Sequence, residues 1–468
     1  MSTLLISVFI LGYLAIAFEH NLKIDKAAAA LITGVLCWAI LIIGAPESLA
    51  LDLVPAHVQK ELAEKGFLST AEEMMVPYLA EHAILEHLAE ISSILFFLMG
   101  AMTIVELVDN HDGFRVITDR IHTKNKRKLL WIICILTFFM SAALDNLTTS
   151  IVMISLLRKL IENRNDRWFF AGMVVVAANA GGAWSPIGDV TTTMLWIGHQ
   201  ITAGKVIVEL FLPSLVAIIV PLVIVSFKIK GHVRRPIIRR NVEAYSDPTT
   251  PRERKIVFAL GLAGLMFVPF FKTITHLPPF MGMMFSLGVL WAVTEVMHRS
   301  KNKQIKTKLS VVETLRKIDS ASVLFFLGIL LAVSSLQSAG ELHKLAGILD
   351  REIGTNHEGG IYGIGLIIGL LSALIDNVPL VAASMGMYDI AVVPTSFFAQ
   401  DGLFWEFLAY CAGTGGSALI IGSASGVAVM GLEKITFGWY LRKVSFLALV
   451  GYLSGALVYI AEESLLGL

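Results

Sequence analysis

Two strings, Ser141-Ala-Ala-Leu-Asp-Asn-Leu-Thr-Thr149 and Ser372-Ala-Leu-Ile-Asp-Asn-Val-Pro379, decide how this chain is read. Each sets an Asp-Asn pair in the middle of an apolar run, 129–161 and 360–391. At 33 and 32 residues, these runs are too long for one membrane helix of about 20 residues and too short for two with a loop. Two half-helices meeting at a polar tip, a re-entrant hairpin, fit the length. Such backbone is tolerated at membrane depth only where protein or a watery cavity covers it.

Outward from the tips, ten further apolar runs read as spans, near 3–18, 27–44, 91–108, 168–203, 206–227, 255–271, 280–297, 320–338, 403–430 and 437–460. Two of them, 168–203 and 403–430, are long and interrupted by glycine. Of 468 residues, 56% are hydrophobic and 16% charged, against about 25% charged in soluble proteins, which excludes a soluble class. Cys37, Cys134 and Cys411 all lie in apolar runs without CxxC spacing, so neither a disulfide framework nor a zinc site is indicated. The first run lacks a basic flank and a small-residue cleavage site, and reads as a retained span. The fold class expected is an all-α polytopic membrane protein.

Charge orients the spans, because Lys and Arg in short loops mark the cytoplasmic side. The segments 228–255 and 299–317 are strongly basic and belong inside. The stretch 45–90 carries nine acids, Glu47 and Asp52 among them, against Lys60 and Lys65, and belongs outside. The run 91–108 then leads inward to the basic 115–128. The segment 129–161 must return to the same side, because its far flank is basic as well (Arg158, Lys159, Arg164, Arg167). A full span there would break the parity. The same count puts both flanks of 360–391, and both termini, outside.

The chain also repeats itself. Ser93-Ile-Leu-Phe-Phe-Leu98 matches Ser322-Val-Leu-Phe-Phe-Leu327 at an offset of 229, the Asp-Asn strings match at 231, and Ala180-Gly-Gly182 matches Thr414-Gly-Gly416 at 234. Ile187-Gly188 and Ile421-Gly422 keep the last offset. Each half holds five spans and one hairpin, and five is odd. The expectation is therefore two inverted repeats with broken helices at the midplane: 1–230 (spans 1–5, hairpin 129–161) and 255–468 (spans 6–10, hairpin 360–391), joined by a basic cytoplasmic linker, 231–254. That linker faces anionic lipid and carries no nucleic-acid motif.

Intramembrane acids default to function. Asp145 and Asp376 sit at the tips. Asp189 closes Asn179-Ala-Gly-Gly-Ala-Trp-Ser-Pro-Ile-Gly-Asp189, a run that cannot stay helical, and its repeat mate is Ser423. A break there frees carbonyl oxygens around Gly181, Gly182, Gly415, Gly416 and Ser417. Asn146, Asn377, Thr148, Ser185, Thr191 and Thr192 add neutral oxygens, the donors that hard cations prefer. No Lys or Arg lies in these four segments. Buried carboxylates without a cationic partner bind a metal cation or protons, and competition between the two is the minimal physics of an antiporter. Asp145, Asn146, Asp376 and Asn377 are the expected metal ligands. The bland role for these aspartates is capping half-helix N-termini, which is compatible with ion binding. Glu106 and Asp109 read as a solvated inner span end, Glu209 and Glu406 as solvated outer ends, and His199 as an interfacial histidine. No nucleophile–base pair, H-E-x-x-H or phosphate loop suggests an enzyme.

The Asp-Asn strings and Asn179-Ala-Gly-Gly-Ala-Trp-Ser-Pro-Ile-Gly-Asp-Val-Thr-Thr-Thr193 resemble the NhaD-type sodium/proton antiporters of the ion transporter superfamily, over nearly the whole chain from about residue 84. The Gly-Gly…Pro-Ile-Gly pattern is shared across that superfamily, whereas dicarboxylate carriers typically show Ser-Asn-Thr at both tips. The resemblance implies exchange of Na⁺ or Li⁺ for H⁺ across a bacterial inner membrane and an elevator-like motion of the hairpins against a scaffold. It needs no cofactor, and a homodimer follows by analogy. The alternative within the superfamily is a Na⁺- or H⁺-coupled anion carrier, arsenite- or dicarboxylate-like. Two acidic tips without arginine weigh against it. A channel or receptor without exchange is weighed against by the doubled hairpins.

Overall fold

The computed structural model describes residues 1–17, 19–48, 54–64, 71–236, 248–374 and 376–466. Parts of the acidic segment 45–90, including Asp52 and Lys65, and the linker residues Arg239 and Arg240 lie outside them. Among the described residues the secondary structure is helical, with two isolated bridges, Asn125 to His232 and Ala391 to Ala399. Eight helices of the described residues are long and apolar enough to cross a bilayer, so the chain is an integral membrane protein.

The first half runs α1 (Ser2–Ala17), α2 (Lys26–Ser48), α3 (Ile84–Asn110), α4 (Lys126–Leu144), α5 (Asn146–Leu160), α6 (Arg164–Ala183), α7 (Val190–Ile197) and α8 (Ala203–Lys228). The second runs α9 (Pro251–Thr275), α10 (Pro279–Met297), α11 (Ser320–Ser338), α12 (Glu358–Ser372), α13 (Asn377–Met387), α14 (Leu403–Gly415), α15 (Ala424–Glu433) and α16 (Phe446–Leu466). Shorter connecting helices apart, both halves run as three helices, two broken pairs and one long helix; a 12-residue helix, Glu341–Glu352, follows α11 in the second half, where the first half has only Arg115–Thr118.

Both long glycine-interrupted runs are broken as expected, between α6 and α7 and between α14 and α15. Both tips break as well. Two lengths differ from expectation. Helical structure begins at Ala71 and runs through a π-helical stretch, Tyr78–Ala83, into α3. Glu81, Glu86 and Glu90 are therefore helical residues, although they precede the apolar run 91–108 read as the span. At 19 residues α4 is long enough to span by length, where the hairpin reading expects a half-helix; it opens on Lys126, Arg127 and Lys128 behind an Asn125 cap on Lys128 N.

The contacts form two compact units, each drawn from both halves of the sequence. One comprises 1–96, 319–355 and 382–389. Its spine is α2 against α11, packed so closely that a Cβ on Gly34 would stand 2.5 Å from the Gly328 carbonyl oxygen, with Trp38 Nε1 donating to Ser334 Oγ at 3.3 Å. The other, 97–318, 356–381 and 390–468, contains both tips. In it α8 lies on α16, where a Cβ on Gly451 would meet the Ala217 carbonyl oxygen at 2.1 Å. The linker start is held by Lys126 N donating to Gly231 O and Val233 N to Lys124 O.

Candidate functional site

Four half-helix N-termini carry the residues singled out above. α5 opens on Asp145, whose Oδ1 accepts from Thr148 N and whose Oδ2 accepts from Thr148 Oγ1, both at 2.7 Å. α7 opens on Asp189, which takes Thr191 N and Thr191 Oγ1 on Oδ1, both at 3.0 Å. α15 opens on Ser423, which accepts from Gly426 N at 3.2 Å. α13 begins at Asn377, behind Asp376, whose Oδ1 accepts from Val378 N at 3.4 Å. The capping role is therefore real. It also holds three carboxylates at helix N-termini, where the peptide dipoles favour negative charge. Asp145 adopts φ +78° and ψ 158°, sparsely populated for a residue with a Cβ, and the two Thr148 bonds hold it there.

The structure makes Asp189, the third acid of the sequence reading, the meeting point of the two tips. It is buried, at 2% exposure. Asn146 Nδ2 donates to Asp189 Oδ2 at 2.6 Å, and Asn377 Nδ2 lies 3.3 Å from both carboxylate oxygens. One carboxylate thus receives an amide from each half of the chain. Asp145 and Asp376 stand near enough for their charges to act on it. Among the described residues, no Lys or Arg is among the partners of Asp145 or Asp189.

Neutral polar groups around Asn179 pack against these residues. Asn179 accepts from Asn146 at 3.2 Å and from Ser425 Oγ at 2.6 Å, and donates to Ser417 Oγ at 3.0 Å and Ser423 Oγ at 2.9 Å. The sequence reading gives no role to Asn179 or Ser425. A signal for Ser425 existed: it is the mate of Thr191 at the offset of 234.

The remaining candidates hold the breaks in shape. Ser185 Oγ donates to Ala142 O at 2.5 Å. Thr192 Oγ1 lies 2.8 Å from Ser185 O and 2.9 Å from Asp189 O. The four glycines permit backbone contact. A Cβ on Gly181 would stand 2.2 Å from Phe138 O, and one on Gly415 2.1 Å from Gly369 O. For Gly182 and Gly416 the clashes would be with Gly188 O at 2.4 Å and Gly422 O at 2.6 Å. These contacts correspond at the offsets of the sequence repeat, as do Ser141 Oγ to Ala178 O at 2.6 Å and Ser372 Oγ to Ala412 O at 2.9 Å. His199 and Asp109 are exposed, and Glu106 is half-buried. Glu209 and Glu406 correct the expectation of solvated ends: they are 5% and 1% exposed, because α8, α14 and α16 pack together around them.

The sequence model of the citrate transporter family matches residues 13–405. Sodium/proton antiporter 1 of Arabidopsis thaliana is 46% identical over 461 residues, covering 98% of this chain and 72% of the relative. Sodium/proton antiporter 2 of the same plant is 43% identical over 456 residues, 97% of this chain and 98% of the relative. The Na(+)/H(+) antiporter NhaD of Vibrio cholerae serotype O1 is 28% identical over 480 residues, 97% of this chain and 90% of the relative.

Proposed function

The chain belongs to the citrate transporter family, as an NhaD-type ion transporter, and from that premise we propose that it is a secondary-active antiporter exchanging cytoplasmic Na⁺ or Li⁺ for external protons. One observation carries the reading: buried Asp189 receives an amide from each tip, with two further carboxylates beside it. The carboxylates of Asp145, Asp189 and Asp376 supply the charge, and the Oδ1 atoms of Asn146 and Asn377 supply neutral ligands. Each amide that donates to Asp189 turns its oxygen elsewhere, toward an ion. Thr148, Thr191 and Ser417 fix these groups, and the backbone around Gly181, Gly182, Gly415 and Gly416 keeps the half-helices in contact. A bound Na⁺ offsets one of these negative charges. When it leaves, the adjacent carboxylates of buried Asp189 and half-buried Asp145 and Asp376 repel one another and a proton takes its place. A citrate-type anion needs cationic donors, and an acidic site repels it.

On this reading the halves are inverted repeats, the broken pairs at Asp145 and Asp376 are re-entrant hairpins, and an elevator-type movement exposes the site alternately to the two sides. The basic 228–255 and 299–317 face the cytoplasm and 45–90 the outside of a bacterial inner membrane, and two copies form a dimer. Inside-out vesicles with a respiration-driven proton gradient and a pH-sensitive dye test the activity. Na⁺ and Li⁺ dequench the dye in the wild type and fail to do so with Asp145→Asn, Asp189→Asn or Asp376→Asn at equal protein level. Retained exchange in Asp189→Asn, or a response only to an organic anion, contradicts the proposal.

A further inference from the structure

Three acids outside the aspartate cluster come together at helix ends. Glu209 lies in the first third of α8, Glu406 in the first turn of α14 and Glu463 near the end of α16. One oxygen of each lies within 4.8 Å of the others. Lys205 Nζ holds Glu209 Oε1 at 2.7 Å, and the Tyr459 hydroxyl donates to Glu406 Oε2 at 3.2 Å. Glu406 Oε1 is buried with no hydrogen-bond partner. Glu406 also lines a cavity of about 340 Å³ together with Lys205, Asp401 and Glu463. A buried carboxylate oxygen left unsatisfied is costly, so the arrangement asks for a ligand.

We propose that Glu209, Glu406 and Glu463 form a second cation site, separate from the aspartate cluster, built for a divalent ion of the calcium class. Charge favours the valence: Glu209, Glu406 and Glu463, with Asp401 and Glu358 lining the same cavity, outnumber the one ammonium of Lys205, and a divalent ion offsets more of that surplus than a monovalent one. Geometry favours the class: calcium takes about six to eight oxygens at about 2.3–2.6 Å in flexible arrangements, which three carboxylate oxygens within 4.8 Å of one another can enter, whereas magnesium demands a near-ideal octahedron at about 2.0–2.1 Å. The cavity has room for the waters that complete a shell of about six to eight oxygens. The ion ties α8, from the first half of the chain, to α14 and α16 from the second. Lys205 competes with it for Glu209.

The test is calcium binding to the full-length protein in detergent, by calorimetry with CaCl₂ and by the calcium dependence of thermal unfolding. Wild type takes up one Ca²⁺ and unfolds at a higher temperature with it, and Mg²⁺ binds more weakly. Glu406→Gln weakens binding at least about tenfold, because a direct ligand matters no less than its supporting shell. Lys205→Gln tightens it, an outcome misfolding does not mimic. Asp189→Asn leaves it in place. Absence of saturable calcium binding in the wild type overturns the proposal, as does binding that Asp189→Asn removes and Glu406→Gln spares.

Discussion

At the scale of single residues, an acid inside an apolar run has few structural excuses, and Asp189, at 2% exposure, takes one amide from Asn146 and another from Asn377. That both tip asparagines converge on Asp189 was not legible, since it depends on how two segments 188 residues apart approach each other. Asn179 was hidden for the same reason: it is one amide in an apolar helix, and its partners Ser417, Ser423 and Ser425 come from the other half. The glycines are clear in sequence but ambiguous in role, and the structure assigns them close contact. Gly415→Ala forces a Cβ to within 2.1 Å of Gly369 O and should destabilise by about 1–3 kcal/mol or more, the range for overpacking. Gly431, a helical glycine with nothing within 4 Å of its added Cβ, should instead gain about 0.5–1 kcal/mol as alanine. Thermal unfolding of the two variants checks this. Equal effects would contradict a packing role for Gly415.

At the scale of elements, helix ends are pinned by buried ionisable groups that the sequence displays only as charge. Glu433, closing α15, is bonded by Arg158 of α5 and Arg167 of α6, both at 2.7 Å, with Trp168 Nε1 on its carbonyl at 2.9 Å. The basic flank read as a topology marker thus also ties the two halves. Just beyond the ends of α3 and α10, His111 and His298 meet Nε2 to Nε2 at 2.8 Å, with rings stacked 5.0 Å apart. His111 Nδ1 faces Leu107 O at 2.7 Å and donates to it; burial disfavours charge on either ring, and in the neutral pair His111 Nε2 accepts from His298 Nε2. Burial, then Lys301 and the repulsion a protonated His111 would add, push His298 from its ordinary 6.5 down to about 4, opposed by Glu253. Burial lowers His111 too. The unfolded chain therefore binds more protons between these values. The stability contribution is complete above about pH 6.5 and is lost as pH falls toward 4. Thermal unfolding between pH 7.5 and pH 5 should show the loss, and His298→Phe should flatten the profile. An unchanged profile in the variant would contradict the neutral pair.

At the scale of the whole molecule, three blocks of the sequence match in order, and contacts made by the second and third recur in both halves. Helix continuity was less legible. The apolar run 91–108 falls short of the helix that extends back to Ala71, because hydropathy registers composition and not backbone hydrogen bonding. The compact units were invisible to a linear reading, since each draws on both halves. The central claim is that one buried acidic site, assembled from both tips, holds either sodium or protons. Its most direct test is proton release on sodium binding: NaCl added to purified protein in weakly buffered solution at fixed external pH, with a sensitive electrode. The account predicts that sodium displaces protons from the wild type and displaces none from Asp189→Asn. Saturable sodium binding to the wild type without proton release would contradict it.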